Sequence, residues 1–387
     1  MVGAATPADG TSRPARPAPR RGWIAARALF GALAATSLAG GIAGGLWRLG
    51  VAVPDPLAFA WAGQVLLVHG ALMICGFLGT MIGIERAVAV KRRWAFAAPL
   101  ASGAGALCLV LGQQTAGAWL GVAAALCFLA VNALVVWRQR AAHTLLLAAG
   151  AGAWLAGNLL FALGQGGDAV FPWWFAFLVM TIAAERLEMT RLMRRWPAAS
   201  ATMPAVLSLL LAGAAWSGSA PRAGGLLYGA ALALLAAWLV MFDVARRTVS
   251  THGVSRYMAV CLLGGYAWLG IAGAAWAAAA IGWPTRDIAL HALGLGFVVS
   301  MVMGHAPVVL PAVARIKLRF GTFFYLPLAV LHLSLAVRLV PGSFSGPLRA
   351  AGASLNAAAI AFFAVTVVGA AVAWRIQHGA EGARKAR

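Results

Sequence analysis

Four histidines, His69, His291, His305 and His332, lie inside long apolar runs of this 387-residue chain. An ionisable side chain is expensive in such a run and usually faces a bundle interior, where imidazole can ligate a metal or carry a proton. The plain alternative for each is a neutral ring hydrogen-bonded to a neighbouring helix. The remaining three, His143, His252 and His378, sit in or beside basic loops and read as solvated surface residues.

Spacing separates the candidates. The stretch HALGLGFVVSMVMGH begins at His291 and ends at His305. Fourteen helical residues turn through about 1400°, so both rings project from nearly one face, yet they lie about 21 Å apart along the axis. They cannot share an ion. His305 either serves a separate inner metal or ion site or is structural; Pro307 and Pro311 follow it and break or kink the helix there. His291 finds a better match in His69, which opens HGALMICGFLGTMIGIER. His69 lies 22 residues before the basic cluster at Lys91, and His291 lies 24 before the one at Arg315. The mismatch is only about 3 Å of depth. Two such imidazoles could hold one metal from opposite faces. Gly70, Ala71, Gly76 and Gly79 follow the first, and Ala292, Gly294 and Gly296 the second. Small residues let a flat macrocycle lie close to a helix, and they equally let membrane helices pack.

The elements that must position these rings follow from composition. The chain is 62% apolar and 10% charged, with a mean hydropathy of +0.86. This describes a polytopic helical membrane protein, since each crossing needs about 20 apolar residues. The net charge of +21 sits in short basic clusters between apolar runs, which argues for membrane topology and against nucleic acid as a partner. Cys75, Cys108, Cys127 and Cys261 all fall in apolar runs without CxxC spacing and read as small packing residues.

The expected fold is therefore all-α, with about twelve transmembrane helices arranged as three four-helix units. The spans read as 24–46, 59–84, 95–113, 117–137, 143–164, 170–185, 200–218, 223–243, 257–281, 288–311, 321–340 and 350–374. Residues 1–22, rich in Pro and Arg, read as a disordered tail, 23–376 as one integral membrane domain, and 377–387 as a cytosolic tail. With both termini cytosolic, 25 of the 30 Lys and Arg fall on the inner side; only Arg48, Arg222, Arg286, Arg338 and Arg349 fall outside. The second span ends IGIERAVAVKRRW and the sixth IAAERLEMTRLMRRW, while the tenth keeps the basic cluster as ARIKLRF. Spans two, six and ten are four apart, the signature of a repeated four-helix unit.

This arrangement, with histidines on spans two and ten, resembles subunit I of the haem–copper oxidases. HALGLG, the Met-containing helix after it and the terminal Gly-His pair are similar to the C-terminal part of the NnrS family, polytopic bacterial proteins associated with haem, copper and nitric oxide metabolism. The resemblance implies haem b with His69 and His291 as axial ligands. Arg286 and Arg338, near the outer ends of spans ten and eleven, would be partners for its propionates. It also implies an inner-membrane location and a redox partner. Copper comes with the resemblance too, but the sequence offers no clear ligand set for it.

The departures bear on activity. No histidine occurs between His143 and His252, where an oxidase brings ligands to copper, and span six offers Trp173 and Trp174 instead. An oxidase also spaces its tenth-helix ligands two residues apart rather than fourteen. Oxygen reduction is therefore not expected, and no catalytic residue is assigned. The rival reading is a transporter or channel for a small solute or ion, with His305, Glu85 and Glu185 lining an inner cavity. Against this stands a plainer expectation for Glu85–Arg86, Glu185–Arg186 and Asp243, as interfacial charges that pair with nearby basic clusters. Asn132, Asn158 and Asn356 are expected to bond between helices.

Overall fold

The computed structural model describes residues 21–51, 62–189 and 197–385. Among them there is helix and no strand. The chain is an all-α polytopic membrane protein. Eleven helices are long and apolar enough to cross a bilayer: Ala25–Trp47, Gly63–Val90, Arg93–Val110, Gln114–Arg138, Ala142–Ala162, Gly167–Met189, Pro221–Phe242, Gly253–Ala280, Arg286–Ala314, Thr322–Ser343 and Gly346–His378. The seventh of the twelve expected spans is the helix Pro197–Trp216, whose apolar part is shorter. Residues 1–20 of the expected tail, and the Arg-Arg-Trp cluster at the end of the sixth span, lie outside the described residues. At the other terminus the last helix continues to Lys385, through most of the segment expected to be a tail.

Consecutive spans pack side by side, and the twelfth returns against the first. Spans two, six and ten also meet one another, so the three helices that carry the repeated sequence pattern form the centre. Leu67, Leu333, Val365 and Val368 stay exposed on the perimeter, as lipid-facing side chains do.

The repeat has a backbone counterpart. Spans two and ten each open as α-helix, widen into an eight-residue π-helix (Leu72–Gly79 and Ala292–Val299), and return to α at Thr80 and Ser300. Each ends on a left-handed residue, Lys91 at φ 57° and Arg315 at φ 54°. No other non-glycine residue among those described has positive φ. Span ten has a further π-turn at Leu310–Ala314, around Pro311. Wider turns take in more residues for the same length. This absorbs the two extra residues between His291 and Arg315.

The charges near the Lys91 end do not behave as loose interfacial groups. Arg86 Nη2 donates to Glu185 Oε1 at 2.7 Å, tying the second span to the sixth. Arg186 is buried and its Nη2 donates to His305 Nε2 at 3.0 Å, tying the sixth to the tenth. Asp243 is buried as well, facing Tyr266, Arg186 and His305, and burial pushes its carboxyl above the usual carboxylate range. His143 is likewise buried rather than solvated, 3.7 Å from Glu188. His252 and His378 are exposed, as expected. Asn158 and Asn356 bond between helices, to Gly121 and Ser334, whereas Asn132 bonds within its own helix to Phe128. All four cysteines are free thiols.

The first span meets the second through GGIAGG, Gly40 to Gly45, a doubled small-xxx-small pattern. A Cβ at Gly44 would lie 2.2 Å from the Val65 carbonyl oxygen. Gly44→Ala should therefore push the two helices apart at a cost of about 1–3 kcal/mol, the range for overpacking. The expected readout is a lower thermal-unfolding midpoint in detergent. Gly31→Ala, whose Cβ meets nothing within 4 Å, should leave the midpoint unchanged within error.

Candidate functional site

His69 and His291 face each other. Their ring centres are 6.4 Å apart and the ring planes differ by 20°. Two imidazoles on one ion, each at the ~2 Å of a metal–imidazole bond, would have ring centres about 6 Å apart, because each centre lies roughly 1 Å beyond its nitrogen. The observed gap is close to that spacing. Unequal separations from the two left-handed caps, 22 and 24 residues, would leave the rings at different depths in ideal α-helix; the extra π-turn at Leu310–Ala314 offsets the difference.

Each ring is oriented by its Nδ1. In His69, Nδ1–H donates to the Gly41 carbonyl at 2.5 Å, across the close contact that the glycines of the first span permit. In His291, Nδ1 lies 2.9 Å from Asp287 Oδ1 and 3.0 Å from the Asp287 carbonyl. Such partners favour the tautomer with the proton on Nδ1, which leaves the Nε2 lone pair as the one that could take a ligand. Arg338 is buried beneath this pair. Its Nη2 is 2.9 Å and its Nε 3.3 Å from the Asp287 carboxylate. The same Nη2 is 3.2 Å from Nδ1 and 3.0 Å from Nε2 of His291. An atom nearly equidistant from both nitrogens cannot lie in the ring plane without overlapping Cε1, so Arg338 sits over the ring face. The in-plane lone pair of Nε2 is left open.

The rings open onto a cavity of about 360 Å³ bordered by spans one, two, six, ten, eleven and twelve. One end is cationic, with Arg48, Arg286 and Arg338; farther along spans two and ten the lining is apolar, with Met73, Phe77, Leu78 and Val299. Gly45, Gly70 and Gly294 put backbone rather than side chain along its walls. The volume falls in the range of small-molecule and cofactor sites, roughly 300–1,000 Å³. The donor set fits a flat dianionic macrocycle: two opposed imidazoles, apolar walls, and guanidinium groups at one edge for carboxylates.

Residues 27–372 match the family described as a domain of unknown function (DUF8744). The chain belongs to that family. No curated protein and no solved structure matches it. The description of DUF8744 names no ligand or reaction, so the chemistry of this member rests on the site itself.

His69, His291, Arg286 and Arg338 are brought together around one cavity. Arg286 also pairs with Asp168 at the N-terminal end of the sixth span. His305 is not part of this group. Its Nδ1 donates to the Met301 carbonyl at 2.7 Å and its Nε2 accepts from Arg186, so both nitrogens are engaged. Among the described residues no three His, Cys, Asp or Glu side chains gather as a metal site. His332 is similarly satisfied: Trp268 Nε1 donates to its Nδ1 at 2.7 Å, and Ser300 lies 3.4 Å from its Nε2.

Three parts of the site escaped sequence reasoning. Asp287 was visible four residues before His291, the i,i+4 spacing of a helical pair. Arg48 closes the first span, one of five basic residues on its side. The glycine stripe at Gly40–Gly45 was visible as a packing motif, but nothing in it says that Gly41 would receive a histidine proton.

Arg338→Gln should destabilise the protein by about 1–3 kcal/mol, because it leaves the Asp287 carboxylate in a half-buried site without its cation. The double variant Asp287→Asn/Arg338→Gln should recover part of that loss. A coupling energy near zero in the cycle, measured by thermal unfolding, would show that the pair is not formed.

Proposed function

We propose that this DUF8744 member is an integral membrane haem protein, holding haem b between His69 and His291. It is similar in this to the NnrS family and to the low-spin haem site of oxidase subunit I, and it serves electron transfer or nitric-oxide-linked metabolism. The observation that carries the reading is the opposed imidazole pair, with Nδ1 of each ring held by an acceptor, at the spacing of two ligands on one ion. Haem bound there would supply a one-electron couple.

The rest is the work of the chain's own groups. His69 and His291 would hold the iron from both sides, which would leave no open position for a substrate on it. Asp287 polarises the Nδ1–H of His291 and makes it the stronger donor of the two, since His69 has only a neutral carbonyl behind it. Arg48, Arg286 and Arg338 offer cations to two propionates. The apolar end excludes water and lowers the local dielectric. The basic-residue asymmetry supports an inner-membrane location with both termini cytosolic, which puts the cationic end of the cavity on the outer side with access to a redox partner.

The rival reading, a transporter for a small solute or ion, draws on the broken tenth span. Two of its three proposed lining groups are engaged elsewhere, however, Glu185 on Arg86 and His305 on Arg186.

Absorption spectra of the detergent-purified protein decide between the two. Sharp reduced α and β bands are expected, lost in His69→Ala and in His291→Ala and retained in His305→Ala. Colourless protein from haem-replete cells would overturn the haem reading and leave the transporter ahead. In the loaded protein Asp287→Asn should raise the midpoint potential, because an amide withdraws the charge that makes His291 electron-rich. A spectroelectrochemical titration measures that shift.

A further inference from the structure

A second cavity, of about 280 Å³, lies against the first. The two share Phe171, Arg286 and Leu290 as walls. The remaining border brings together the sixth, eighth, ninth and tenth spans, with Trp276 and Trp283 as its large aromatic surfaces. Trp276 also meets Phe175, a wall of the first cavity, edge to face at 6.2 Å between ring centres. Between the cavities Arg286 pairs with Asp168, and both side chains are more than half exposed, so the pair stands at an open mouth.

Resting on the haem reading of the first cavity, we propose that the second binds a hydroquinone headgroup as its electron donor. The volume, below the roughly 300–1,000 Å³ of drug-sized ligand sites, suits a single substituted ring. Indole faces offer stacking surfaces for such a ring. Asp168 is a carboxylate placed to accept a phenolic proton, and Arg286 is a cation for the oxygen that loses it. The position distinguishes this ligand from a redox-inert aromatic: only one layer of side chains, Phe171 and Leu290, separates the two occupants. A hydroquinone becomes a quinone by releasing two electrons and two protons. A haem held by His69 and His291 would take one electron at a time, so each hydroquinone would give its two electrons to the ferric haems of two copies of the protein, the semiquinone passing from the first copy to the second. The first proton goes to Asp168 and the second to water at the mouth.

The test is anaerobic mixing of the purified ferric protein with a short-tailed hydroquinone, followed through the reduced haem bands. Reduction of two haems per hydroquinone is expected. Ala280→Phe fills the second cavity from a wall the first does not share, and should slow reduction at least tenfold while dithionite still reduces all the haem. Asp168→Asn should slow it too and flatten its pH dependence. Ala279→Leu serves as the second filling variant should Ala280→Phe not fold. Wild-type rates in a filled variant with full haem content would overturn the proposal.

Protein without haem would sink the reading of the first cavity separately. The second is then decided by equilibrium binding of a radiolabelled short-tailed quinone: saturable binding lost in the filled variants supports the site, and no saturable binding to wild type overturns it. A preference for tailed over tailless hydroquinone would assign the donor to the lipid phase, and equal rates to the aqueous phase.

Discussion

His69 and His291 face each other with ring centres 6.4 Å apart, which requires the two rings to reach the same depth in the bundle to within a fraction of a helical turn. Much of the surrounding structure serves that constraint. His69 and His291 stand on helices with different residue counts to their left-handed caps, and ideal α-helix throughout would leave them out of level. The two eight-residue π-segments are equal and cancel, so the further π-turn around Pro311, in the tenth span alone, takes up the difference. A π-segment also spoils the regular i→i−4 ladder, and the freed groups find other partners: Ser102 donates to the Cys75 carbonyl inside the first of them at 2.6 Å. The close approach of the first span completes the frame, since a side chain at Gly44 would move Gly41 away from the ring it orients.

The same residue types do different things at the two ends of the bundle. At the Lys91 end, arginine, glutamate and histidine consume one another in contacts that join the second, sixth and tenth spans. Removing one partner there would strand a charge in a low-dielectric interior, so these contacts set how the units dock. At the other end the arginines border cavities. Arg338 is shared between Asp287 and the face of His291, and Arg286 is half exposed and paired with Asp168 across the boundary of two cavities. The exposed Arg286–Asp168 pair is free to change partners when a ligand arrives, whereas the buried Arg186 at the Lys91 end is not.

The membrane class, the approximate spans and the similar depth of His69 and His291 were legible along the chain. Each depends on hydropathy, charge asymmetry or helical periodicity, which are local properties. The misreadings share one cause. His143, Glu185, Arg186 and Asp243 look like interfacial or surface groups because basic residues neighbour them in sequence, but their partners belong to other helices. Asn132 erred in the opposite direction, satisfying itself within its own turn.

By itself the sequence determined a bundle of membrane-crossing helices and put one histidine at similar depth in each of two repeat-related spans. Only the tertiary structure decided that the two rings face each other across a cavity, that Gly41 and Asp287 hold them, and that His305 is held by an arginine instead. Hydrophobicity fixes which segments cross the bilayer. Rotation and partner choice are set by side-chain packing and by the need of each buried polar group for a partner on another helix, and those contacts exist only once the helices have assembled.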